Sequence, residues 1–190
     1  MPRVESFDRP AVLHNAMQVF WSNGYSGTSM QQLVDATGLN RSSLYNSFGD
    51  KMELYRAALK EYAGETQQQI QCAIGKAANP LEAIRAIFES FLPEIMNDSR
   101  GCMGMSCKSE MSSDLSIKYF LENNQEQTLI LFEKLVANGQ QSGAINKNQE
   151  AREYAWHIYN SFQGYRMTGI LVKDKNVLKG IIDNSLKILE

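Results

Sequence analysis

The chain has 190 residues, of which 43% are apolar and 21% are charged, a composition typical of globular proteins. Its formal net charge of −2 gives the chain as a whole no polybasic character. No apolar run approaches the ~18 residues that a membrane span needs, and no secretory leader precedes the first helix, so we expect a soluble, cytoplasmic protein without membrane contact.

The cysteine and histidine content argues against a metal site. Cys72, Cys102 and Cys107 are an odd number, and their spacing matches neither a disulfide framework nor a zinc pattern. His14 and His157 are the only histidines. We therefore predict neither a metal nor a cofactor.

The first three predicted helices are short and closely spaced. Leu13, Ala16, Met17 and Phe20 have the i, i+3, i+4, i+7 spacing of one buried helical face. The T-x-x-Q pattern from Thr28 to Gln31 predicts a capping box that opens the second helix. Gly38 is predicted to end it, and Asn40 to cap a third helix whose apolar side is formed by Leu44, Tyr45 and Phe48.

The remaining segments are also predicted to be helical. Asp50 and Glu53 form a second capping pattern that opens a longer helix, and Pro93 is predicted to kink a later one. Three further helical patterns cover approximately 114–138, 148–171 and 174–189. Because no segment shows sustained period-two alternation, we predict an all-α fold.

The segment 28–51 has the pattern of a helix-turn-helix, in which the second helix enters the DNA major groove. Arg41 is predicted to read guanine and Gln31 to read adenine, while hydroxyl, amide and amine groups bind phosphates. Two alternatives stay open, because such helix pairs also occur in helical proteins without DNA function and Tyr45 has the spacing of a core residue. The predicted DNA contacts are Thr28, Gln31, Arg41, Ser42, Ser43, Tyr45, Asn46 and Lys51.

Residues 9–60 resemble the TetR/AcrR family of bacterial transcriptional regulators. The residues that carry the resemblance are Phe20, Gly24-Tyr25, Thr28-Ser29, Thr37-Gly38-Leu39, Ser43-Leu44-Tyr45, Phe48 and Lys51. Many relatives have a histidine near the positions of Asn46 and Ser47, where this chain has none, so an operator preference does not carry over from the family.

The resemblance implies a homodimeric repressor of about nine helices per subunit, which binds a palindromic operator and is released by a small organic effector. It also implies a DNA-binding domain at 1–50 and a helical effector-binding and dimerisation domain at 51–190. The last two long helices are expected to form the interface, although their apolar stripes could instead close the core of one subunit. These stripes are Tyr154, Ile158, Phe162 and Tyr165, followed by Leu178, Ile181, Ile182, Ser185 and Leu189.

Three hypotheses describe regulation. In the first, an apolar pocket binds the effector; its predicted lining is Phe88, Phe91, Cys102, Met103, Cys107, Met111, Phe120, Phe162 and Tyr165. In the second, Cys107 or Cys102 is a redox or electrophile sensor, its thiol pKa lowered by Lys108 and a helix start. In the third, the domain binds no ligand or is regulated by another protein.

Other classes of protein lack support in the sequence. No nucleophile-elbow, phosphate-loop, HExxH or dinucleotide-binding pattern is present, so we predict no enzymatic activity. Glu110 and Asp114 are spaced as a carboxylate pair could be, but they are better explained as a solvated helix face. A helical adaptor with a vestigial helix-turn-helix would differ from a regulator by lacking salt-dependent binding to duplex DNA.

Overall fold

The computed structural model describes residues 7–190, which form ten α-helices and a final 3₁₀ turn, with no strand in that range. The all-α prediction is therefore confirmed. None of the helices in this range is both long and apolar enough to cross a membrane. The helices are α1 Arg9–Asn23, α2 Met30–Thr37, α3 Arg41–Phe48, α4 Lys51–Ile74, α5 Pro80–Ser90, α6 Leu92–Asn97, α7 Met103–Met111, α8 Leu115–Ser142, α9 Ala151–Thr168 and α10 Lys175–Leu186, with the 3₁₀ turn at Lys187–Leu189.

The number of helices exceeds nine because the predicted kink divides one helix into two. α5 ends at Ser90 and α6 begins at Leu92, with Pro93 in its first turn. A proline is tolerated there because the first amides of a helix have no intrahelical acceptor. The bend keeps Phe91 and Ile95 inside, at 1% and 5% exposure.

The first four helices pack around one apolar cluster, here called the N-terminal core. The buried faces of α1, α2, α3 and α4 contribute Phe20, Leu33, Leu44 and Tyr55, and the Phe20 and Tyr55 rings meet edge-on at 5.0 Å. Burying each such large side chain stabilises the fold by about 1.5–3 kcal/mol. This packing fixes the angle between α2 and α3.

The N-terminal core continues beyond residue 50. Cys102, Met103 and Cys107, from α7 and the residue before it, and Ile117 and Leu121 of α8 pack into the same cluster. Side chains beyond position 50 therefore support α1–α4 directly. The division into domains 1–50 and 51–190 stays a prediction. Residues 1–6 of the first domain lie outside the described part of the chain.

A second cluster, the C-terminal core, joins α5, α8, α9 and α10. Phe88, Phe132 and Phe162 are buried at its centre, and Phe88 meets Phe162 edge-on at 5.2 Å. α10 lies against α5 and α9, so its inner face is covered within one subunit.

This packing contradicts the two apolar stripes predicted for the dimer interface, whereas an interface formed by the last two helices stays a prediction. Leu178, Ile182 and Leu189 are at most 1% exposed within one subunit, and Ile181 and Ser185 are half-buried. This stripe therefore packs in the core of one subunit, which is the alternative to a dimer interface that the sequence left open. The interface stripe on the preceding helix is also wrong, because its four residues are all buried in the C-terminal core: Tyr154, Ile158, Phe162 and Tyr165.

Candidate nucleic-acid interface and effector cavity

The directions of α2 and α3 are set by side chains that cap their first turns. The backbone amide of Gln32 donates to Ser29 Oγ, and the side-chain Oε1 of Gln32 accepts from the backbone amide of Ser29 at 2.8 Å. The predicted Thr28–Gln31 box is therefore wrong by one residue. Gly38 ends α2 with a φ of 70°, the left-handed conformation that glycine adopts at least cost. Asn40 caps α3 as predicted, accepting from the Ser43 amide at 2.8 Å.

α3 turns two apolar side chains inward and a polar face outward. Leu44 and Phe48 are buried, whereas Arg41, Ser42 and Asn46 are exposed. Tyr45 is 38% exposed, which rules out the alternative that it belongs to the core. Arg41 Nη2 donates to the Tyr45 hydroxyl at 3.4 Å, and the guanidinium lies 5.6 Å from the ring centroid. The exposed face thus combines a guanidinium, an amide and hydroxyls, the groups that recognise base edges and phosphates.

Three other predicted contacts lie on α2, α3 and α4. Gln31 is exposed, but its side-chain amide donates to Asp35 Oδ1 at 2.8 Å. Ser43 is half-buried beneath the Asn40 cap. Lys51 Nζ lies 4.4 Å from the centroid of the Tyr25 ring, at the start of α4. Direct DNA contacts by these residues and by the exposed face of α3 stay predictions.

Thr28 has a different role from the predicted phosphate contact. Its side chain is 2% exposed, and its hydroxyl donates to the Gly24 carbonyl at 2.6 Å. A hydroxyl buried in this way is not presented to a phosphate. Thr28 instead braces the turn between α1 and α2.

Glu110 of α7 also holds this turn, a role that the sequence did not reveal. Its carboxylate accepts from the amides of Tyr25 at 2.9 Å and Ser26 at 2.6 Å. Gly24 has a φ of 71°, and a Cβ there would lie 2.7 Å from Glu110 Oε2. Partial burial alone would raise the pKa of Glu110, but these amides and Lys51 lower it below its ordinary value. The solvated-face explanation of Glu110 is therefore wrong.

A cavity of about 70 Å³ lies among α4, α7, α8 and α9. α7 therefore both holds the α1–α2 turn and forms part of the cavity wall. Of the predicted effector residues, Cys102, Phe120 and Phe162 line it. The lining also includes Leu59, Tyr62, Met105, Lys108, Leu121, Gln125, Tyr159 and Arg166.

The other six predicted effector residues do not line this cavity, and a role for them in effector binding stays a prediction. Phe88, Phe91 and Tyr165 are packed in the C-terminal core. Met103 and Cys107 are buried in the N-terminal core, against which the half-buried Met111 packs. Apolar spacing identifies residues that become buried, but it does not distinguish a filled core from the wall of a cavity.

Two cations at the cavity have well-defined partners. Arg166 is 3% exposed and donates from Nη2 to the Tyr62 hydroxyl at 2.8 Å and to Glu94 Oε1 at 3.1 Å. Its Nη1 lies 3.3 Å from Cys102 Sγ. Within residues 7–190, Lys108 Nζ donates only to neutral acceptors, the Tyr159 hydroxyl and Gln125 Oε1. Neither cation was predicted as an effector contact, since their partners come from distant parts of the sequence.

The two cysteines of the 101–111 segment differ in environment. Burial raises the pKa of the Cys107 thiol, and the nearby Glu110 carboxylate raises it further, although a hydrogen bond with Tyr55 opposes this. The predicted lowering of the Cys107 pKa is therefore wrong. Cys102, by contrast, lies at the cavity wall beside the Arg166 guanidinium.

Comparisons with known proteins agree with this geometry. The family model "Bacterial regulatory proteins, tetR family" matches residues 12–58. The chain is 26% identical over 194 residues to the uncharacterized HTH-type transcriptional regulator YezE of Bacillus subtilis, covering 100% of both chains. It is 26% identical over 159 residues to the HTH-type transcriptional repressor DhaR of Mycobacterium sp. strain GP1, covering 82% of this chain and 79% of DhaR.

A solved structure shows the same fold. A cysteine-substituted form of the TetR-family regulator CifR, complexed with 26-base-pair operator DNA, matches with a TM-score of 0.85 and 23% identity over 99% of this chain and 100% of CifR. The family model that matches the helix-turn-helix, and the two related regulators that align with most of the chain, agree with this fold. Residues 12–58 are therefore a helix-turn-helix domain of the TetR-family type, and the chain as a whole has the fold of TetR-family DNA-binding transcriptional regulators.

Proposed function

We propose that the protein is a homodimeric repressor of the cytoplasm that binds a palindromic operator and is released by a small organic effector. The observation that carries the proposal is the exposed face of α3, where Arg41 lies beside Tyr45 and Asn46 on a helix fixed by caps at both ends. Polar groups on a fixed recognition helix suit base readout, whereas an adaptor needs no such face.

Dimerisation is supported by the outer faces of α9 and α10. One short recognition helix buries too little surface for tight specific binding, so two copies about 34–36 Å apart are needed. Trp156 and Val177 are 46% and 48% exposed. Within residues 7–190, a Cβ on Gly164 of α9 or on Gly180 of α10 would meet no atom within 4 Å outside its own stretch of helix backbone. Large exposed apolar side chains beside bare backbone favour close packing of a second copy's helices.

Release by an effector is supported by the position of α4. Its first turns pack in the N-terminal core, and Tyr62 and Ile70 further along the same helix line the cavity. A ligand that favours one placement of α4 would change the separation of the two recognition helices. Repression, as opposed to activation, is supported by the name of the relative DhaR.

Selection of bound duplexes from a random pool, followed by affinity measurement on the selected site, tests the proposal. We expect a palindrome, and we expect Arg41→Ala to weaken binding about tenfold or more, because a guanidinium on guanine contributes about 1–3 kcal/mol. Affinity should fall as salt rises. The matched control is Lys147→Ala, which removes an exposed cation from the loop between α8 and α9.

Two results would contradict this proposal. One is a selected site without twofold symmetry. The other is equal affinity of the Arg41→Ala variant and the unmodified protein for the selected site. Weakening by Lys147→Ala to the same degree would show that the lost affinity reflects net charge and not readout by α3.

The second candidate is release by modification of a thiol, and the structure favours Cys102 for this role. Its Sγ lies at the cavity wall, 3.3 Å from the Arg166 guanidinium. Cys107 has no comparable access, since it is 1% exposed.

A further inference from the structure

The charges around the cavity are of one sign. Lys108 and Arg166 contribute cations, and none of the lining residues in the described part of the chain is acidic. The remaining polar lining groups are neutral hydroxyls, amides and a thiol: Tyr62, Thr66, Cys102, Asn124, Gln125, Thr128, Tyr159 and Gln163.

Only one of the two cations is neutralised by a carboxylate. Arg166 pairs with Glu94 of α6 at 3.1 Å, and Glu94 approaches from outside the cavity lining. Lys108 Nζ donates to the Tyr159 hydroxyl at 2.8 Å and to Gln125 Oε1 at 3.0 Å, both neutral groups. Within residues 7–190 it forms no ion pair. The cavity therefore carries an excess of one positive charge.

Part of the cavity wall is apolar. Leu59, Met105 and Phe120 line the cavity beside the polar groups. A groove of about 420 Å³ between α4 and α8 lies next to the cavity, and Ala63 and Thr128 line both. A ligand could thus place a small polar head at the cations and extend an apolar body towards the groove.

We propose that this cavity binds an organic monoanion, a monocarboxylate with a short apolar body, whose carboxylate accepts hydrogen bonds from Lys108. The proposal rests on the proposed function, because it names the chemistry of the effector. Lysine donates three hydrogen bonds, and its two neutral partners leave one proton for a ligand. A carboxylate supplies both the missing acceptor and the missing negative charge.

Hexanoate and its neutral analogue hexanamide separate charge recognition from recognition of the apolar body. Titration calorimetry on the full-length protein measures both affinities. We expect hexanoate to bind at least about tenfold more tightly than hexanamide, because hydrogen bonds between charged partners exceed those to a neutral amide. In the Lys108→Gln variant the preference for hexanoate should disappear.

Lys118→Gln is the matched control, since Lys118 is an exposed residue of α8 whose partner is Glu122. It should keep the preference for hexanoate. If Lys108→Gln does not fold, Lys108→Met takes its place. The comparison of hexanoate with hexanamide on the unmodified protein tests the proposal without any variant. The proposal is overturned by equal binding of the two ligands, by no hexanoate binding, or by a preference that survives loss of the Lys108 amine.

Operator binding measured in the same preparations distinguishes this proposal from the proposed function. If the protein binds its operator but not hexanoate, the anion site alone is wrong. If hexanoate binds with the expected preference and leaves operator affinity unchanged, the anion site stands and release by this ligand is wrong.

Discussion

At the residue scale, the three cysteines should differ in reactivity because their burial differs. Cys72 is exposed on α4, Cys102 is 7% exposed at the cavity, and Cys107 is 1% exposed with a raised pKa. Because the thiolate is the reactive form, we expect N-ethylmaleimide to modify Cys72 first, Cys102 more slowly, and Cys107 only after unfolding. Mass spectrometry of peptides taken over time, in buffer and in urea, measures the order.

A Cys72→Ser background isolates the two cysteines near the cavity. In that background, release from the operator by N-ethylmaleimide should require Cys102 if the thiol-sensing candidate is correct. Modification of Cys107 at the rate of Cys102 in the folded protein would contradict the inference drawn from burial.

At the scale of single elements, local patterns predicted most helices, and the errors have identifiable causes. Asn40 and Asp50 cap α3 and α4 as predicted, because a cap depends on residues three positions apart. Thr28 and Ser29 both precede a glutamine by three residues, so the pattern alone could not choose between them. The bounds of α7 were not predicted, since Met103–Met111 contains glycine and serines and has no side-chain cap.

The cavity was the least predictable feature, because it depends on contacts between distant segments. Glu110 lies 85 residues from Tyr25, and Arg166 lies 104 residues from Tyr62. The spacing of apolar residues along one helix does not predict contacts between residues so far apart in the sequence. Composition did draw attention to the 101–111 segment, but for its sulfur atoms and not for Lys108 and Glu110, which form its polar contacts.

The contact between α7 and the α1–α2 turn gives a prediction at this scale. Glu110→Gln removes the charge from two short hydrogen bonds, so we expect the free energy of unfolding to fall by about 1–2 kcal/mol at neutral pH. Because the pKa of Glu110 is lowered in the folded state, its contribution is present above the ordinary glutamate pKa and is lost as the pH falls through the lowered value. The difference between the variant and the unmodified protein should therefore shrink below about pH 4.

Urea unfolding at one fixed protein concentration, repeated across this pH range, measures that difference. Glu122→Gln is the control, because within residues 7–190 Glu122 makes only an exposed ion pair with Lys118 at 3.8 Å, and such pairs contribute little. A difference for Glu110→Gln that stays constant down to acidic pH would show that the loss is one of packing and not of the ionised carboxylate.

At the scale of the whole molecule, the assembly was harder to predict than the subunit. An apolar stripe on a helix looks the same in the sequence whether it faces its own subunit or a second one. The stripe containing Leu178 and Ile182 proved to face α5 and α9. The surfaces left for a partner combine apolar, polar and glycine positions, since Asn160 and Gly164 separate Trp156 from Met167. Such a surface has no apolar periodicity by which the sequence could predict it.

The glycines on these surfaces allow a test that leaves the subunit intact. Gly164→Arg and Gly180→Arg each add a Cβ that meets no atom within 4 Å among residues 7–190 outside its own stretch of helix backbone. Replacing a helical glycine also raises helix propensity by up to about 1 kcal/mol, so the folded subunit should tolerate both changes. A partner helix packed at these positions could not accommodate arginine, and we expect light scattering to show monomers with strongly weakened operator binding.

Gly64→Arg is the matched control, because Gly64 lies on the exposed side of α4 and its Cβ position is equally open. It adds the same charge and bulk away from α9 and α10, and should leave a dimer that binds the operator. If both interface variants remain dimers, subunits associate through another surface. If all three variants dissociate alike, the added charge is responsible and not the loss of close packing between α9 and α10 of two subunits.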